Sequence, residues 1–216
     1  MPSIAIAGYT NAGKSSLLNR ITGAGVLVQD ALFATLDPTT RRTDLPDGRT
    51  VVFTDTVGFV RHLPTQLVEA FRSTLEEVVD SELLLHVVDG SDAFPLRQIE
   101  SVRRVINEVV EEQNAERPRE LVVINKIDVA DPLVLAELHH AVPDGVFVSA
   151  ATGEGIDGLL TAIMEIIASG DTEVTLRIPY SRGDIVSRVH TEGAVLDETH
   201  SQDGTRILVR LPKSVV

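Results

Sequence analysis

The sequence predicts an α/β fold: a doubly wound, mostly parallel sheet with one antiparallel edge strand, followed by a small α+β domain. Short apolar runs alternate with amphipathic stretches along most of the chain, as strands and covering helices do in such a sheet. Asp47-Gly48 separates two strand-like runs and predicts the hairpin that supplies the antiparallel strand. Ser169-Gly170-Asp171 predicts the linker to the small domain.

The first domain is predicted at residues 1–168, the linker at 169–173 and the small domain at 174–216. Strands of the first domain are expected near 3–7, 41–45, 50–55, 83–88, 121–124 and 146–149. Helices are expected from residue 14 and near 66–80, 95–114, 132–140 and 156–168. Core packing is predicted for four residues that share one helical face, Leu67, Phe71, Leu75 and Val78.

The small domain is predicted to contain three strands and a short helix. Residues 174–179 alternate like a strand, 183–190 fit a helix, and 194–198 and 205–211 fit two strands joined at Asp203-Gly204. A segment of about 45 residues buries little core by itself, so we expect it to pack on the first domain or on a partner.

Composition restricts the class of protein. With 216 residues and 43% hydrophobic content, the chain suffices for one full domain and a small appendage. It has no cysteines, which excludes disulfides and thiol metal sites. No apolar run approaches the roughly 20 residues that cross a bilayer, and the N-terminus lacks the charged region of a signal peptide. A cytoplasmic location is therefore expected.

The net charge is −13, and the acidic excess lies in residues 1–170. Affinity for nucleic acid comes largely from Lys and Arg side chains, so no DNA partner is expected and any RNA contact should be local. One candidate group of arginines lies around the two segments near Thr35 and Asp55 that are predicted to change conformation. It consists of Arg41, Arg42, Arg61 and Arg72. The alternative is that these arginines are solvated or pair with nearby carboxylates.

A glycine-rich segment after the first strand predicts a phosphate-binding loop. It consists of Gly8, Tyr9, Thr10, Asn11, Ala12, Gly13, Lys14 and Ser15, followed by Ser16. In this G-x-x-x-x-G-K-[ST] spacing, backbone N–H groups surround the phosphates, the lysine reaches the outer phosphates and the serine hydroxyl ligates Mg²⁺. The helical spacing of Leu17, Leu18 and Ile21 adds a helix N-terminus. A nucleoside triphosphate is the predicted ligand, and a chance glycine-rich turn is the alternative.

Two later motifs predict the base. Asn125-Lys126-Ile127-Asp128 follows a strand-like run, and its carboxylate suits N1–H and the 2-amino group of guanine, a donor pair that adenine lacks. A site built on such hydrogen bonds rejects the wrong base strongly. The alternative is that Asp128 only caps the next helix. Ser149-Ala150-Ala151 follows the last strand and predicts backbone N–H groups near guanine O6.

Asp55-Thr56-Val57-Gly58 predicts the contact with Mg²⁺ and the γ-phosphate. In this D-x-x-G pattern the aspartate contacts Mg²⁺ through water and the Gly58 N–H donates to the γ-phosphate. Thr35 is predicted to complete the metal ligands with Ser15 and Asp55, because it lies midway between them (35 − 15 = 20; 55 − 35 = 20). Thr39 and Thr40 are the alternatives. Four neighbours of Thr35 are also predicted at the nucleotide: Phe33, Ala34, Leu36 and Asp37.

The motif set resembles the HflX family, within the Obg–HflX group of translation-factor-related P-loop GTPases. The resemblance covers residues 3–168 and, more loosely, the tail. It is carried by the segments 8–15, 33–41, 55–59, Leu63-Pro64, 70–77 and 83–89.

This resemblance implies a Mg²⁺-dependent GTPase that forms GDP and phosphate, associates with the large ribosomal subunit and splits stalled or idle ribosomes under stress. Family members carry an N-terminal domain before the GTPase domain, whereas the phosphate loop here begins at Gly8, so we expect the chain to be a fragment. The alternatives are a GTP-binding module with little turnover and a GTPase of ribosome assembly or RNA modification.

The catalytic hypothesis assigns transition-state contacts to Lys14, Asn11 and Gly58. Phe59 stands where Ras-type enzymes have a water-orienting glutamine, so we expect slow intrinsic hydrolysis that the ribosome stimulates. Asn11 resembles an asparagine that helps other GTPases hold K⁺, which would neutralise transition-state charge. The alternative is an asparagine selected for a tight turn.

The six histidines show no metal-binding pattern. His139 and His140 are adjacent on a predicted helix and would point in different directions. His86 lies in the apolar run 83–88, which predicts a buried, hydrogen-bonded histidine rather than a catalyst.

Overall fold

The computed structural model describes residues 1–23, 39–55, 58 and 75–212. The elements before the middle of the chain are β1 (Ser3–Gly8), α1 (Lys14–Thr22), β2 (Thr39–Asp44), β3 (Thr50–Asp55), helical residues 75–79 (α2), and β4 (Leu83–Asp89). Those that follow are α3 (Pro95–Gln113), β5 (Arg119–Asn125), α4 (Pro132–Ala141), β6 (Val146–Phe147) and α5 (Ile156–Ala168).

These strands form a six-stranded sheet in the order β2-β3-β1-β4-β5-β6. β2 is antiparallel to β3, and every other neighbouring pair is parallel. The predicted α/β fold and its antiparallel edge strand are therefore confirmed. Since the other five strands run in the same direction, their carboxyl ends lie along one edge, where ligands bind in open sheets of this kind.

Helices cover both faces of this sheet. On one face, α1 and α5 bury Leu17, Leu18, Leu159 and Ile163 against the strands. On the other face, residues of α2 and α3 pack with strand residues, in a cluster that includes Leu75, Val78, Val102 and Ile106. Core packing of Leu75 and Val78 is thus confirmed, whereas Leu67 and Phe71 lie outside the described residues. In the described part of the chain, no helix has the length and apolarity needed to cross a membrane.

The remaining elements form a three-stranded antiparallel sheet in the order β7-β9-β8. They are β7 (Asp171–Ile178), a 3-10 turn (Tyr180–Arg182), α6 (Gly183–Glu192), β8 (Ala194–Ser201) and β9 (Gly204–Pro212). Helix α6 covers one face, where the buried core consists of Ile178, Val189, Ile207, Val209 and Leu211.

A buried ion pair joins the two sheets. The Arg49 guanidinium, just before β3, donates to Asp171 Oδ2 at 2.6 Å and to Asp47 Oδ2 at 3.0 Å. The exposed fractions of the Arg49 and Asp171 side chains are 1% and 2%. β7 begins at Asp171 rather than at the predicted residue 174, because Thr172 already pairs with Leu211 in the ladder. This ion pair therefore connects the start of the small sheet to the hairpin of the larger one, and packing of the small domain on the first domain stays a prediction.

Candidate nucleotide-binding site

The loop between β1 and α1 has a tightly constrained backbone. A Cβ on Gly8 would lie 2.1 Å from the Val87 carbonyl oxygen, and one on Gly13 would lie 2.3 Å from Asn125 Nδ2. Gly13 also has a φ of 88°, in the left-handed region that favours glycine. Both glycines of the predicted motif are therefore required by close approaches of neighbouring atoms.

Lys14 lies buried inside this loop. Its Nζ donates to the carbonyl oxygens of Gly8 at 3.2 Å and Tyr9 at 3.0 Å. Burial lowers the pKa of Lys14 to about 8, and the nearby Asp55 carboxylate offsets part of that effect. The Lys14 side chain is therefore protonated less readily than that of an exposed lysine. Bound phosphate oxygens would raise its pKa again and favour the charged form.

Gly58 packs directly on the phosphate loop. It is buried, and a Cβ there would lie 2.8 Å from Thr10 Cγ2 and 2.9 Å from Lys14 Nζ. The glycine of the predicted D-x-x-G motif is therefore adjacent to the lysine that is expected to contact the outer phosphates. The residues on either side of Gly58 in the chain, Thr56, Val57 and Phe59, lie outside the described residues.

Two oxygen groups suited to Mg²⁺ meet beside Lys14. The Ser15 hydroxyl donates to Asp55 Oδ2 at 2.6 Å, joining the start of α1 to the end of β3. A hydroxyl and a carboxylate are the oxygen donors that Mg²⁺ prefers, together with water and substrate phosphates. In the described residues there is no group of three or more His, Asp or Glu side chains that would hold a metal by themselves.

The third predicted metal ligand cannot be placed in this arrangement. Thr35 and its neighbours Phe33, Ala34, Leu36 and Asp37 lie outside the described residues. Of the alternatives, Thr39 and Thr40 belong to β2, where they pair in register with Asp55 and Thr54. Thr35 therefore stays a prediction.

Asn125 connects the phosphate loop to the base motifs. Its side chain is buried, donates from Nδ2 to the Ala12 carbonyl oxygen at 2.8 Å, and accepts at Oδ1 from the Ala150 N–H at 3.0 Å. One amide thus holds together the phosphate loop, the end of β5 and the turn after β6. The sequence predicted these three segments as separate motifs, and the structure brings them together.

The capping alternative for Asp128 is wrong. The residue that caps α4 is Asp131, whose side chain accepts from the Leu133 N–H at 2.7 Å. Asp128 lies three residues earlier in the chain and is exposed, so its carboxylate is accessible to a ligand. Lys126 has a φ of 65°, and its Nζ pairs with Asp89 Oδ2 at 2.6 Å.

Ser149, Ala150 and Ala151 form the turn at this edge. Ser149 is fully buried, and its Oγ accepts from the Thr152 N–H at 3.1 Å. Arg20, at the end of α1, donates to the carbonyl oxygens of Ala150 and Ala151. Arg20 and Asp89 were not among the predicted site residues. A sequence signal exists for Asp89 alone, because it directly follows the predicted strand 83–88 at the same edge.

The histidine predictions are confirmed for His86. It is buried in β4, and its Nδ1 lies 2.8 Å from Glu120 Oε1, which also pairs with Arg103 and Arg117 through its carboxylate. Burial lowers the pKa of His86, and hydrogen bonds from His86 and Arg103 outweigh burial to lower the pKa of Glu120 to about 2. His139 stacks on Phe147, with ring centroids 3.6 Å apart. These side chains have structural roles.

The predicted arginine group is only partly described. Arg41 and Arg42 are adjacent in β2, opposite Phe53 and Val52, so their side chains leave opposite faces of the edge strand. Arg61 and Arg72 lie outside the described residues. A shared contact surface of these four arginines stays a prediction.

Comparison with known proteins identifies the family. Residues 3–126 match the family described as MMR_HSR1, 50S ribosome-binding GTPase, and residues 135–214 match the HflX C-terminal domain. The chain belongs to the HflX family of GTPases. GTPase HflX of Magnetococcus marinus is 44% identical over 214 residues, which is 99% of this chain and 49% of that protein. GTPase HflX of Escherichia coli is 44% identical over 216 residues, covering 98% and 50%.

This HflX-family chain thus spans about half the length of the curated relatives it matches. Solved structures agree on the fold. Era in complex with MgGDPNP and nucleotides 1506-1542 of 16S ribosomal RNA has a TM-score of 0.60 at 25% identity, covering 76% of this chain and 56% of that one. A GTP-binding protein from Sulfolobus solfataricus in complex with GDP has a TM-score of 0.56 at 31% identity, covering 76% and 52%.

Proposed function

We propose that this chain is the GTP-binding and GTP-hydrolysing switch of a ribosome-associated protein. The observation that carries the proposal is the pair of Asn125 hydrogen bonds, which unite the phosphate loop with the base motifs in one site. The family names of the matched segments support hydrolysis and the large ribosomal subunit as partner. In the whole protein we place this switch in the cytoplasm, acting in the splitting of stalled or idle ribosomes.

Within the chain, we assign GTP binding to residues 1–168 and a supporting module to the segment that begins with β7 at Asp171, so that the linker shortens from the predicted 169–173 to Ser169 and Gly170. The motif residues at the carboxyl edge all precede residue 152, and α5 then returns along the sheet to Ala168. The ion pair between Arg49 and Asp171 crosses from the first part to the second.

Guanine selectivity rests on the exposed Asp128 carboxylate and the turn at Ser149-Ala150-Ala151. The carboxylate accepts from guanine N1–H and the 2-amino group, and backbone N–H groups of the turn donate to O6. Adenine offers an acceptor at N1 and a donor at its 6-amino group, so every one of these contacts would be lost or reversed. Such mismatches cost far more than a loss of apolar contact.

Mg²⁺ fits the oxygen donors that meet beside Lys14. Ser15 Oγ and Asp55 Oδ2 would hold it, one directly and the other through water, with Thr35 as the further predicted ligand. When bound, the ion neutralises charge on the β- and γ-phosphates. Lys14 would exchange its two carbonyl contacts for phosphate oxygens, and the Gly58 N–H beside it would donate to the γ-phosphate.

Hydrolysis by this chain alone should be slow. Phe59 cannot orient the attacking water, since its side chain neither donates nor accepts a hydrogen bond. We assign that positioning to the ribosome-bound state. A GTP-binding module with little turnover is the second candidate function, and Phe59 is the observation that favours it.

K⁺ is the proposed accessory cation, held in part by Asn11. The Asn11 side chain is exposed at the phosphate loop, where a cation would stabilise transition-state charge. Its φ of 64° also gives the tight-turn alternative a physical basis, since asparagine tolerates the left-handed region. The two explanations differ in their response to Asn11→Gly, which keeps the turn and removes the side chain.

The test is GTP hydrolysis with and without purified large ribosomal subunits, in K⁺ and in Na⁺ buffer. We expect slow turnover alone, stimulation by large subunits, and faster hydrolysis in K⁺ that Asn11→Gly removes. Tight GTP binding without GDP formation under any condition would favour the non-turnover module. Equal rates in K⁺ and Na⁺ would contradict the K⁺ assignment.

A further inference from the structure

The exposed face of the small sheet carries an unusual pair of like charges. Along β7 and β9 the side chains alternate between the α6-covered core and solvent, and Arg177 and Arg206 both belong to the exposed set. They are directly opposite each other in the β7–β9 register. Like charges at directly opposed positions of an antiparallel pair are destabilising.

The other arginines of this module are neutralised. Arg182 pairs with Asp184, Arg188 with Glu192, and Arg210 with Glu173. In the described part of the chain, neither Arg177 nor Arg206 has an ion-pair partner. Each of the other three arginines in the module has a carboxylate partner. Arg177 and Arg206 therefore differ from them in having a positive charge that can pair with an anionic ligand.

The row that contains this pair is extended by a hydroxyl. Thr199 of β8 is exposed and lies opposite Arg206, so the row across the three strands reads Arg177, Arg206 and Thr199. The next row of this face carries a carboxylate, that of Asp197, which is opposite Leu208. Two guanidinium groups and a hydroxyl form a set of hydrogen-bond donors that suits phosphate oxygens.

An aromatic side chain lies at the same end of the sheet. Tyr180 comes two residues after the end of β7, is 60% exposed, and donates from its hydroxyl to the Ser201 carbonyl oxygen at 2.8 Å. That bond fixes the exposed ring beside the β8–β9 turn. The ring lies 6.5 Å from the ring of His200, whose Nδ1 is 3.2 Å from the hydroxyl of buried Thr205 on the α6-covered side of the strands. Tyr180 therefore flanks the strand end and is not part of the exposed face that carries Arg177 and Arg206.

We propose that the exposed face of the small sheet around Arg177 and Arg206 is an RNA-binding surface, in which the two arginines and the Thr199 hydroxyl contact phosphates of the RNA backbone. The overall charge of −13 gives the chain no general attraction for RNA, so binding depends on this local surface. The inference deepens the proposed ribosome association by naming RNA as the contact, but the surface itself is independent of GTP hydrolysis.

The first test is fluorescence anisotropy of the full chain with an unstructured 12-nucleotide RNA over a series of salt concentrations. Arg177→Thr/Arg206→Thr should weaken binding by about tenfold or more at low salt and reduce the magnitude of the log–log salt slope by about 1.4, near 0.7 for each phosphate contact. The matched control, Arg182→Thr/Arg188→Thr, removes the same charge from paired positions and should change affinity less than about twofold.

Two further readouts separate a binding role from a structural one. Arg206→Thr should raise the urea midpoint of unfolding while lowering RNA affinity, because it relieves the like-charge contact. Thr199→Val should weaken RNA binding by about twofold or more because it removes the third donor of the row, whereas Tyr180→Phe, which lies outside the exposed face, should leave the affinity unchanged.

The proposal is overturned if the control pair loses as much affinity as Arg177→Thr/Arg206→Thr, if polyglutamate competes as well as RNA, or if wild-type chain shows no RNA binding at low salt. Wild-type GTP hydrolysis is measured in parallel. If hydrolysis is absent while RNA binding depends on the two arginines, the proposed enzymatic function fails and this inference stands. If hydrolysis occurs and RNA binding is absent, the proposed enzymatic function stands and this inference fails.

Discussion

The six-stranded sheet is covered by helices on both faces, whereas the three-stranded sheet has α6 on one face and exposed side chains on the other. In the larger sheet, functional groups lie at one edge, where five parallel strands end. In the smaller sheet no such edge exists, because its strands are antiparallel. A parallel sheet concentrates loop residues at one place, and an antiparallel sheet presents side chains across a face.

Their charged groups differ in the same way. Lys14 and Asp55 are buried at the edge of the larger sheet, so the free energy of each charged side chain depends strongly on its neighbours. Arg177 and Arg206 are exposed, and their effects should be smaller and more sensitive to salt. Substitutions in the two regions should therefore differ in size and in salt dependence.

The largest effect is expected at the junction between the sheets. Asp171→Ala leaves the buried Arg49 guanidinium with Asp47 as its remaining carboxylate partner, and should lower the free energy of unfolding by about 3 kcal/mol, the lower end of the range for breaking a buried pair. Asp184→Ala breaks an exposed pair with Arg182 and should leave the free energy of unfolding nearly unchanged, because water screens that pair. Urea denaturation compares them, and equal effects would mean that the two sheets are stabilised independently of this pair.

The next largest effect is expected in the phosphate loop, at the carboxyl edge of the larger sheet. Gly13→Ala places a Cβ 2.3 Å from Asn125 Nδ2 at a φ of 88°, so GTP affinity should fall by roughly 100-fold, or about 3 kcal/mol. Gly158→Ala in α5 meets no atom within 4 Å and should leave affinity unchanged while slightly stabilising the helix. Calorimetric titration with a non-hydrolysable GTP analogue measures both. Unchanged affinity in Gly13→Ala would contradict the close packing at the loop.

A smaller effect is expected from the protonation of Lys14. Burial lowers its pKa to about 8 in the free protein and phosphate oxygens raise it, so binding takes up a proton above that pH. Affinity for GTP should then fall by up to about tenfold per pH unit from pH 8 to 9. Lys14→Arg remains charged over this range, and its affinity should be nearly constant. A parallel decline in both proteins would point to another titrating group.

The smallest effect concerns the His86–Glu120 pair. Both groups have folded-state pKa values below their ordinary values of 6.5 and 4.5, so the folded state binds fewer protons and stability falls as the pH decreases. The decline should begin near pH 6.5 for His86 and continue between 4.5 and about 2 for Glu120. Glu120→Gln should cost about 1 kcal/mol at pH 7 and flatten the lower part of the decline in a urea series. An unchanged pH profile in that variant would exclude Glu120 as the source.

Much of the edge site could be predicted from the sequence, because each motif follows a strand and parallel strands end together. Gly8, Gly13, Lys14, Asp55 and Asn125 are at the predicted places for that reason. The contacts of Arg20 with the Ala150 turn and of Arg49 with Asp171 could not be predicted, since they join residues 130 and 122 positions apart with no local pattern. The start of β7 at Asp171 could not be predicted, because propensity alone does not reveal the pairing of Thr172 with Leu211.

The most direct test of the central claim is a comparison of GTP, ATP and XTP affinities for the wild-type chain and for Asp128→Asn. We expect wild-type protein to prefer GTP over ATP by roughly 10³-fold or more, since the base contacts cannot be satisfied by adenine. Asp128→Asn should bind GTP weakly and gain affinity for XTP, because an amide N–H suits the 2-oxo group of xanthine. Equal affinity for GTP and ATP, or unchanged GTP affinity in Asp128→Asn, would contradict a guanine site at this edge.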